Sequence, residues 1–335
     1  MRLAEALAVE EIVTDTGRTD VGGHRMNWVE SGIRKGKMIG FKSGFFILLL
    51  LGSTVSAATP PITALVFSPN GESVVAASQS GLQILDWPSL RREKTINTSL
   101  ANLHRLCFSP DGNRLPVGGG QPAESGNVEI LAWPSGELET SFDPQSDSVT
   151  SVVWKDNSRL LAASLDRDIL MLNTQNVDFQ RRYSGHSQGV SALCLLKDGK
   201  TLLSAGTDQS VRVWDCSTAA LVCSLNQHLA AADRTIRFWQ PTIGRMMRSI
   251  RLTAERLDIV WFKDGSRIVA ACVDGRIRVI HPENVMVTGG LAAIDGWACA
   301  VAIHPTDPSL MVGGTDGAMR CIQLSTAKKN VSERR

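Results

Sequence analysis

His186, Ser204 and Asp208 are the residue types of a serine hydrolase. A hydroxyl deprotonated by an imidazole that a carboxylate orients is the machinery of acyl transfer. Against that chemistry, no G-x-S-x-G elbow sets a serine on a strand-to-helix turn. A repeated unit, described below, also accounts for all three residues. Other reactive types are dispersed. The 6 histidines form neither H-x-H nor H-E-x-x-H, and no carboxylates cluster beside them, so no metal is expected. Cys107, Cys194, Cys216, Cys223, Cys272, Cys299 and Cys321 contain no C-x-x-C and no C-x-x-C-H, which argues against a redox pair or attached haem. Cys216 and Cys223 flank one turn and are the pair that could bridge a hairpin. Gly118-Gly119-Gly120 suggests a phosphate loop, but no Lys-Ser/Thr and no helix follow. A lengthened turn between two strands is the expectation there. No cofactor is expected.

The elements that must position His186, Ser204 and Asp208 lie between Gly185 and Asp215. Val190–Leu196 is a β-branched and apolar run. Lys197-Asp198-Gly199-Lys200 is a turn, Thr201–Ala205 a second strand, and Gly206-Thr207-Asp208-Gln209 a second turn. Ser210–Trp214 alternates as a third strand, and Leu221–Leu225 can form a fourth. Four short antiparallel strands in ~40 residues make one propeller blade.

The unit recurs. The Trp214 position is taken by Leu85, Leu131, Leu172, Trp239, Ile280 and Ile322, at a spacing of 41 or 42 residues except for 46 between Leu85 and Leu131, where the second unit is lengthened, and 25 after Trp214. The acid of the second turn recurs as Asp166, Asp208, Asp233, Asp274 and Asp316. Phe67-Ser68-Pro69-Asn70-Gly71 and Phe108-Ser109-Pro110-Asp111-Gly112 mark first-strand ends in the same phase. With His186, Ser204, Asp208 and the closing Trp214-Asp215, the unit resembles a WD repeat. The resemblance covers residues 62–324 and looks most like bacterial exported WD-repeat proteins. It implies an all-β, seven-bladed WD-repeat β-propeller. It also implies a hydrogen-bonded set in which Asp208 holds His186, which links through Ser204 to the Trp214 indole. Asp166, Asp233, Asp274, Asp316 and Trp239 are its counterparts in other blades.

The ring is expected to be irregular in two places. Between Trp214 and Trp239 the spacing shrinks to about 25 residues, so about 16 are missing near 228–229. The fifth blade is therefore expected to be truncated, lacking its innermost strand. Only a few residues precede Ile62 after the apolar segment described next, so the seventh blade is expected to be weakly closed.

Residues 1–37 show no strand period. In 38–57, Lys42 precedes Phe45–Leu51 and Val55-Ser56-Ala57, the pattern of a signal peptide cleaved after Ala57. A retained membrane anchor over 44–60 is the alternative. Either reading places the propeller, residues 58–325, in the periplasm or cell envelope, followed by a basic tail, 326–335. The near-neutral charge, +2, gives no argument for nucleic acid. Arg245, Arg248 and Arg251 lie in an arginine-rich hairpin that could meet an acidic protein partner. The expected function is a non-catalytic protein–protein interaction scaffold, a monomer or part of a hetero-complex. The alternatives are a small-ligand binder or enzyme at the channel mouth, and a decayed paralogue with little function.

Overall fold

The structure is a computed structural model that describes residues 8–9, 59–225, 234–240 and 245–324. Every regular element among them is a β-strand. Residues 1–15 and 59–335 form one compact unit; a second, 16–58, lies outside the described residues, as do the expected signal segment and the basic tail.

After β1 (Ala8–Val9), the first blade comprises β2 (Ile62–Phe67), β3 (Ser73–Ser78), β4 (Gly81–Asp86) and β5 (Arg92–Ile96). The second comprises β6 (Leu103–Leu106), β7 (Arg114–Gln121), β8 (Ser125–Ala132) and β9 (Leu138–Gln145). The third holds β10 (Val149–Asp156), β11 (Arg159–Ser164), β12 (Asp168–Asn173) and β13 (Asp178–Ser184). The fourth holds β14 (Val190–Leu195), β15 (Thr201–Gly206), β16 (Val211–Asp215) and β17 (Leu221–Leu225). Among the described residues, β18 (Thr235–Gln240) and β19 (Arg245–Arg251) represent the fifth unit. The sixth blade has β20 (Arg256–Trp261), β21 (Ile268–Cys272), β22 (Arg276–His281) and β23 (Met286–Ala292), and the last has β24 (Ala298–Ile303), β25 (Ser309–Gly314) and β26 (Met319–Gln323). Each blade is an antiparallel meander in chain order.

Strand position dictates composition. Second strands are buried on both faces and read as nearly continuous apolar or small runs, as in Val74–Ala77, Leu160–Ala163 and Ile268–Cys272. Fourth strands sit outermost and are largely exposed; Arg92–Thr95 is open to solvent throughout. Every first strand carries a register shift near its start, between Ile62 and Ala64, Leu103 and Arg105, Val149 and Ser151, Val190 and Ala192, Arg256 and Asp258, and Ala298 and Ala300. A bulge there increases local twist and turns the next residues toward the neighbouring blade. The turn after β14 needs Gly199, whose φ is +62°.

The core lies between consecutive sheets. Val75, Leu82 and Ile84 of the first blade pack with Leu103, Leu115 and Val117 of the second. Leu161, Ile169 and Met171 of the third pack with Val190, Leu202 and Trp214 of the fourth. The fifth hairpin bridges its neighbours: Trp239 joins the fourth blade's cluster, while Ile236 and Phe238 join the sixth's.

Two expectations are corrected. Among the described residues the seven-bladed ring becomes six blades with their own innermost strands plus a two-stranded remnant, in keeping with a spacing of about 25 residues that is too short for the fifth unit's inner pair. The two-residue β1 adds to that remnant, pairing antiparallel with β18 through Ala8↔Trp239 and Val9↔Phe238. The glycines of the second blade lengthen its strands rather than a turn: β7 and β8 pair out to Gln121↔Ser125.

The last blade shows three strands among the described residues, yet the ring closes on its faces. Ile62 and Ala76 pack on Ala300, and Phe67 and Val74 on Ala302 and Met311. His304 sits at this seam, stacked on Trp87 at 5.5 Å and edge-on to Phe67 at 5.0 Å. Its Nδ1 accepts the Asp307 N–H at 3.1 Å, so Nε2 carries the proton and donates to the Gly71 carbonyl at 3.0 Å. Replacing His304 by Ala strands that carbonyl and removes the stack. The expected loss is about 2 kcal/mol, read as a melting temperature lower by roughly 4–8 °C. Faster amide exchange in β2 and β24 than in β10 and β14 would locate the loss at the seam; a uniform change would refute it.

Candidate functional site

The His186–Ser204–Asp208 constellation forms in the fourth blade, with each member placed by a different element. His186 enters from the loop before β14, Ser204 lies within β15, and Asp208 lies in the turn between β15 and β16. His186 Nε2 is 2.7 Å from Ser204 Oγ, and Nδ1 is 3.0 Å from Asp208 Oδ2. The Trp214 indole N–H donates to Ser204 Oγ at 2.8 Å. The indole can only donate, and the ionised Asp208 can only accept, so the proton of the neutral imidazole sits on Nδ1 and leaves Nε2 an acceptor. Ser204 accepts from Trp214 and donates to Nε2, and Nδ1–H donates to Asp208.

That is the proton order of a catalytic triad in a site with no place for substrate. Ser204 and Trp214 are each 1% exposed, and the hydroxyl lies between indole and imidazole. The backbone is equally crowded: a Cβ on Gly206 would lie 2.4 Å from His186 Nδ1 and 2.6 Å from Asp208 Oδ1. The constellation is a brace. It ties the loop entering the blade to the second and third strands.

Asp208 is the hub. It also accepts the Ser187 N–H at 2.9 Å, the Ser210 N–H at 3.1 Å and the Ser210 hydroxyl at 2.8 Å. Arg212 Nη2 lies 3.9 Å away. Burial works against its charge, but the Ser187, Ser210 and His186 bonds outweigh it and hold the carboxyl below its ordinary range. Burial pulls His186 the other way for a base. Its pKa is lowered by desolvation despite the bond to Asp208, so the ring is neutral.

The counterparts are placed differently. Asp166 accepts the Asp168 N–H at 3.1 Å and caps its turn without a histidine. Asp274 takes two bonds from the buried Arg278, at 3.0 and 2.6 Å, and these lower its pKa. Arg278 also reaches Thr253 Oγ1 at 2.7 Å, so it links loop to turn as His186 does. Asp316 accepts the Ala318 N–H at 3.0 Å, and its carbonyl accepts the Thr59 hydroxyl at 2.5 Å. Asp215 gathers bonds from Ser217 and Thr218, which lower its pKa to about 2. Trp239 is buried against the fourth blade. Asp233 lies outside the described residues.

Arg248 donates to the Pro282 carbonyl at 2.8 Å, tying the fifth hairpin to the sixth blade, whereas Arg251 is exposed. The Arg245 side chain lies outside the described residues. Cys216 and Cys223 are both free thiols, which corrects the possible bridge: Cys216 is buried beside Tyr183, whose hydroxyl donates to the Cys216 carbonyl at 2.6 Å. Sequence reasoning missed Ser210 and Arg278. The signals were present: Ser two residues after Asp208, and Arg four residues after the turn acid in Asp208/Arg212, Asp233/Arg237, Asp274/Arg278 and Asp316/Arg320.

Residues 136–171 and 178–215 match the WD domain, G-beta repeat family. The all-β propeller thus carries WD repeats over these two stretches. It is 24% identical over 290 residues to a periodic tryptophan protein 2 homolog of Dictyostelium discoideum, covering 77% of this chain and 31% of that protein. It is 30% identical over 192 residues to protein FIZZY-RELATED 3 of Arabidopsis thaliana, covering 49% of this chain and 39% of that protein. It is 26% identical over 162 residues to the COMPASS component SWD3 of Saccharomyces cerevisiae, covering 47% and 49%. The chain thus spans between about a third and a half of the length of these curated relatives. They are eukaryotic proteins, and none of the three is named as an exported or envelope protein. This overturns the expected periplasmic or envelope location, and these relatives lend no support to a resemblance to bacterial exported proteins in particular. The expected signal segment, 38–57, and residues 44–58 of the alternative anchor lie outside the described residues, among which no helix is long and apolar enough to cross a membrane.

Two outcomes follow for the brace. Asp208→Ala leaves the His186 Nδ1–H, the Ser187 N–H and the Ser210 donors without their acceptor, and should cost about 2–4 kcal/mol in denaturant unfolding. Because the His186 pKa is depressed on folding, its contribution is complete above the unfolded value of about 6.5 and is lost as pH falls below it toward the folded value. Stability should therefore fall between pH 7 and 5, and more steeply in the parent than in His186→Gln. Equal slopes would show that His186 is not held neutral.

Proposed function

We propose that this WD-repeat propeller is a non-catalytic scaffold for protein–protein interaction. The observation that carries the reading is the use of its His-Ser-Asp constellation as a buried brace, with the serine hydroxyl already committed to Trp214. Support comes from a relative named as a component of an assembly, COMPASS. Among the described residues no group of three or more His, Cys, Asp or Glu could hold a metal ion.

The outer strands offer a surface for such contacts. Leu138, Phe179 and Leu221 are 56%, 50% and 45% exposed. They occupy one register position in successive blades, opposite Leu131, Leu172 and Trp214. Met246 of β19, opposite Trp239, continues the row. A row of large apolar side chains on outermost strands gains nothing for the isolated fold and can be buried only by another molecule. Arg251, exposed at the far end of β19, belongs to the same circumference and suits an acidic flank on the partner.

Affinity capture from the source cells with the parent chain and a Phe179→Asp/Leu221→Asp variant tests the reading. These outward-facing changes should shift the melting temperature by no more than about 3 °C. The expected result is a near-stoichiometric protein held by the parent and lost by the variant. Equal capture would rule out this surface, and a folded parent that captures nothing would overturn the scaffold reading.

A further inference from the structure

We propose that Ser184 is a phosphoacceptor for an arginine-directed protein kinase, and that the phosphate it receives takes Arg182 away from Asp168. The inference does not depend on the scaffold reading.

The residues before Ser184 supply the recognition. The chain has three Arg-Arg pairs, at 91–92, 181–182 and 334–335. Only Arg181-Arg182 is followed two residues on by a hydroxyl, in Arg181-Arg182-Tyr183-Ser184. Guanidiniums two and three residues before an acceptor suit a kinase whose peptide groove is lined with carboxylates, since each can pair with them in a forked geometry.

The fold presents this stretch. β13 is the outermost strand of the third blade. Within Asp178–Ser184 the Tyr183 side chain alone is buried. Its hydroxyl donates to the Cys216 carbonyl at 2.6 Å, which fixes it inward. Side chains alternate along a strand, so Arg182 and Ser184 share the opposite face. Ser184 and Gly185 are exposed, and among the described residues the Ser184 hydroxyl makes no hydrogen bond.

The charge that would receive a phosphate is already beside it. Asp168 lies directly opposite Ser184 in the β12–β13 ladder. Arg182 Nη1 bonds Asp168 Oδ2 at 2.7 Å, and its side chain is 53% exposed. A phosphate on Ser184 therefore stands opposite a carboxylate and within reach of the guanidinium that the carboxylate holds. With close to two negative charges and three acceptor oxygens, it outcompetes Asp168 for Arg182. Like charges directly opposite in a ladder also repel. Both effects loosen the last pair of β12 and β13, where the chain leaves for His186. The transfer balances with a nucleoside triphosphate as donor. Ser184 Oγ bonds to the γ-phosphorus, the bond from that phosphorus to the β–γ bridging oxygen breaks, and the diphosphate leaves. The hydroxyl proton passes to the kinase's catalytic carboxylate.

The test is incubation of the folded full chain with magnesium ATP and the catalytic subunit of cyclic-AMP-dependent protein kinase, with mass spectrometry to locate the phosphate. The expected result is phosphate on Ser184 in the parent and no incorporation there in Ser184→Ala. Arg181→Gln, which leaves the Arg182–Asp168 pair in place, should slow incorporation about ten-fold. Amide exchange at 182–186 should be about ten-fold faster in the modified chain, with 201–206 unchanged. No phosphate on the folded chain, modification only after unfolding, equal incorporation by Ser184→Ala, or an unmoved rate in Arg181→Gln would each overturn the acceptor assignment. Unchanged exchange at 182–186 would overturn the displacement of Arg182.

Discussion

A strand buried on both faces cannot be stable unless something packs against each face, and this constraint governs the whole molecule. The second strand of each complete blade is in that position, with burial unbroken through Val74–Ser78, Leu160–Ser164 and Leu202–Gly206. No blade is a domain by itself. Each apolar face is completed by the next sheet, so the clusters lie between blades rather than within them. A ring is the arrangement in which every such face finds a neighbour. The seam between the first and last blades must then be packed as well as the rest. It is, through Ile62 on Ala300 and Phe67 on Met311, with His304 adding a bond to the Gly71 carbonyl.

Burial of this extent leaves polar groups near the blade ends that water cannot reach, and each must be answered from within. The fourth blade answers with the chain from Trp214 through Ser204 and His186 to Asp208. The sixth answers with Arg278 and Asp274. The two solutions share a geometry: a turn carboxylate receives a cationic or imidazole side chain that also ties down the incoming loop. They differ in charge state. The Asp274–Arg278 pair is ionic, with the Arg278 bonds holding the Asp274 carboxyl below its ordinary range, whereas His186 is neutral and bound by a one-way order of donors. A triad-like order of protons is therefore no sign of catalysis when the hydroxyl is enclosed. What separates a brace from a nucleophile is access to Ser204, not the distances around it.

Strand positions, turns and the phase of the repeat were legible in the sequence because each follows from local chemistry: Pro-Asn-Gly and Lys-Asp-Gly turns, apolar second strands, and acids at a fixed offset. The shortened fifth unit was legible from spacing alone. The blade count was not, because spacing locates a unit without saying how many of its strands survive. The role of Gly118–Gly120 was also hidden. A glycine run permits a turn but does not require one, and here it extends a hairpin whose strands pair to its tip. Arg248 looked like a surface charge, and only the fold brings it to the Pro282 carbonyl. The apolar segment at 45–51 suggested export on local pattern; the relatives, not the fold, removed that inference.

The fifth unit shows what the ring tolerates. Its hairpin keeps the two strands that touch both neighbours, with Trp239 on one side and Ile236 and Phe238 on the other. Those contacts cover the exposed faces of the fourth and sixth blades, which is the service a neighbour must perform. The missing pair of strands would have lined the centre, where the first strands of adjacent blades also meet. Losing a whole blade would uncover two faces. Losing the inner half of one uncovers an edge and part of a lining, a smaller demand on the remaining structure. The arrangement that survives is the one in which the face-to-face packing is kept and the edge is left to be paired.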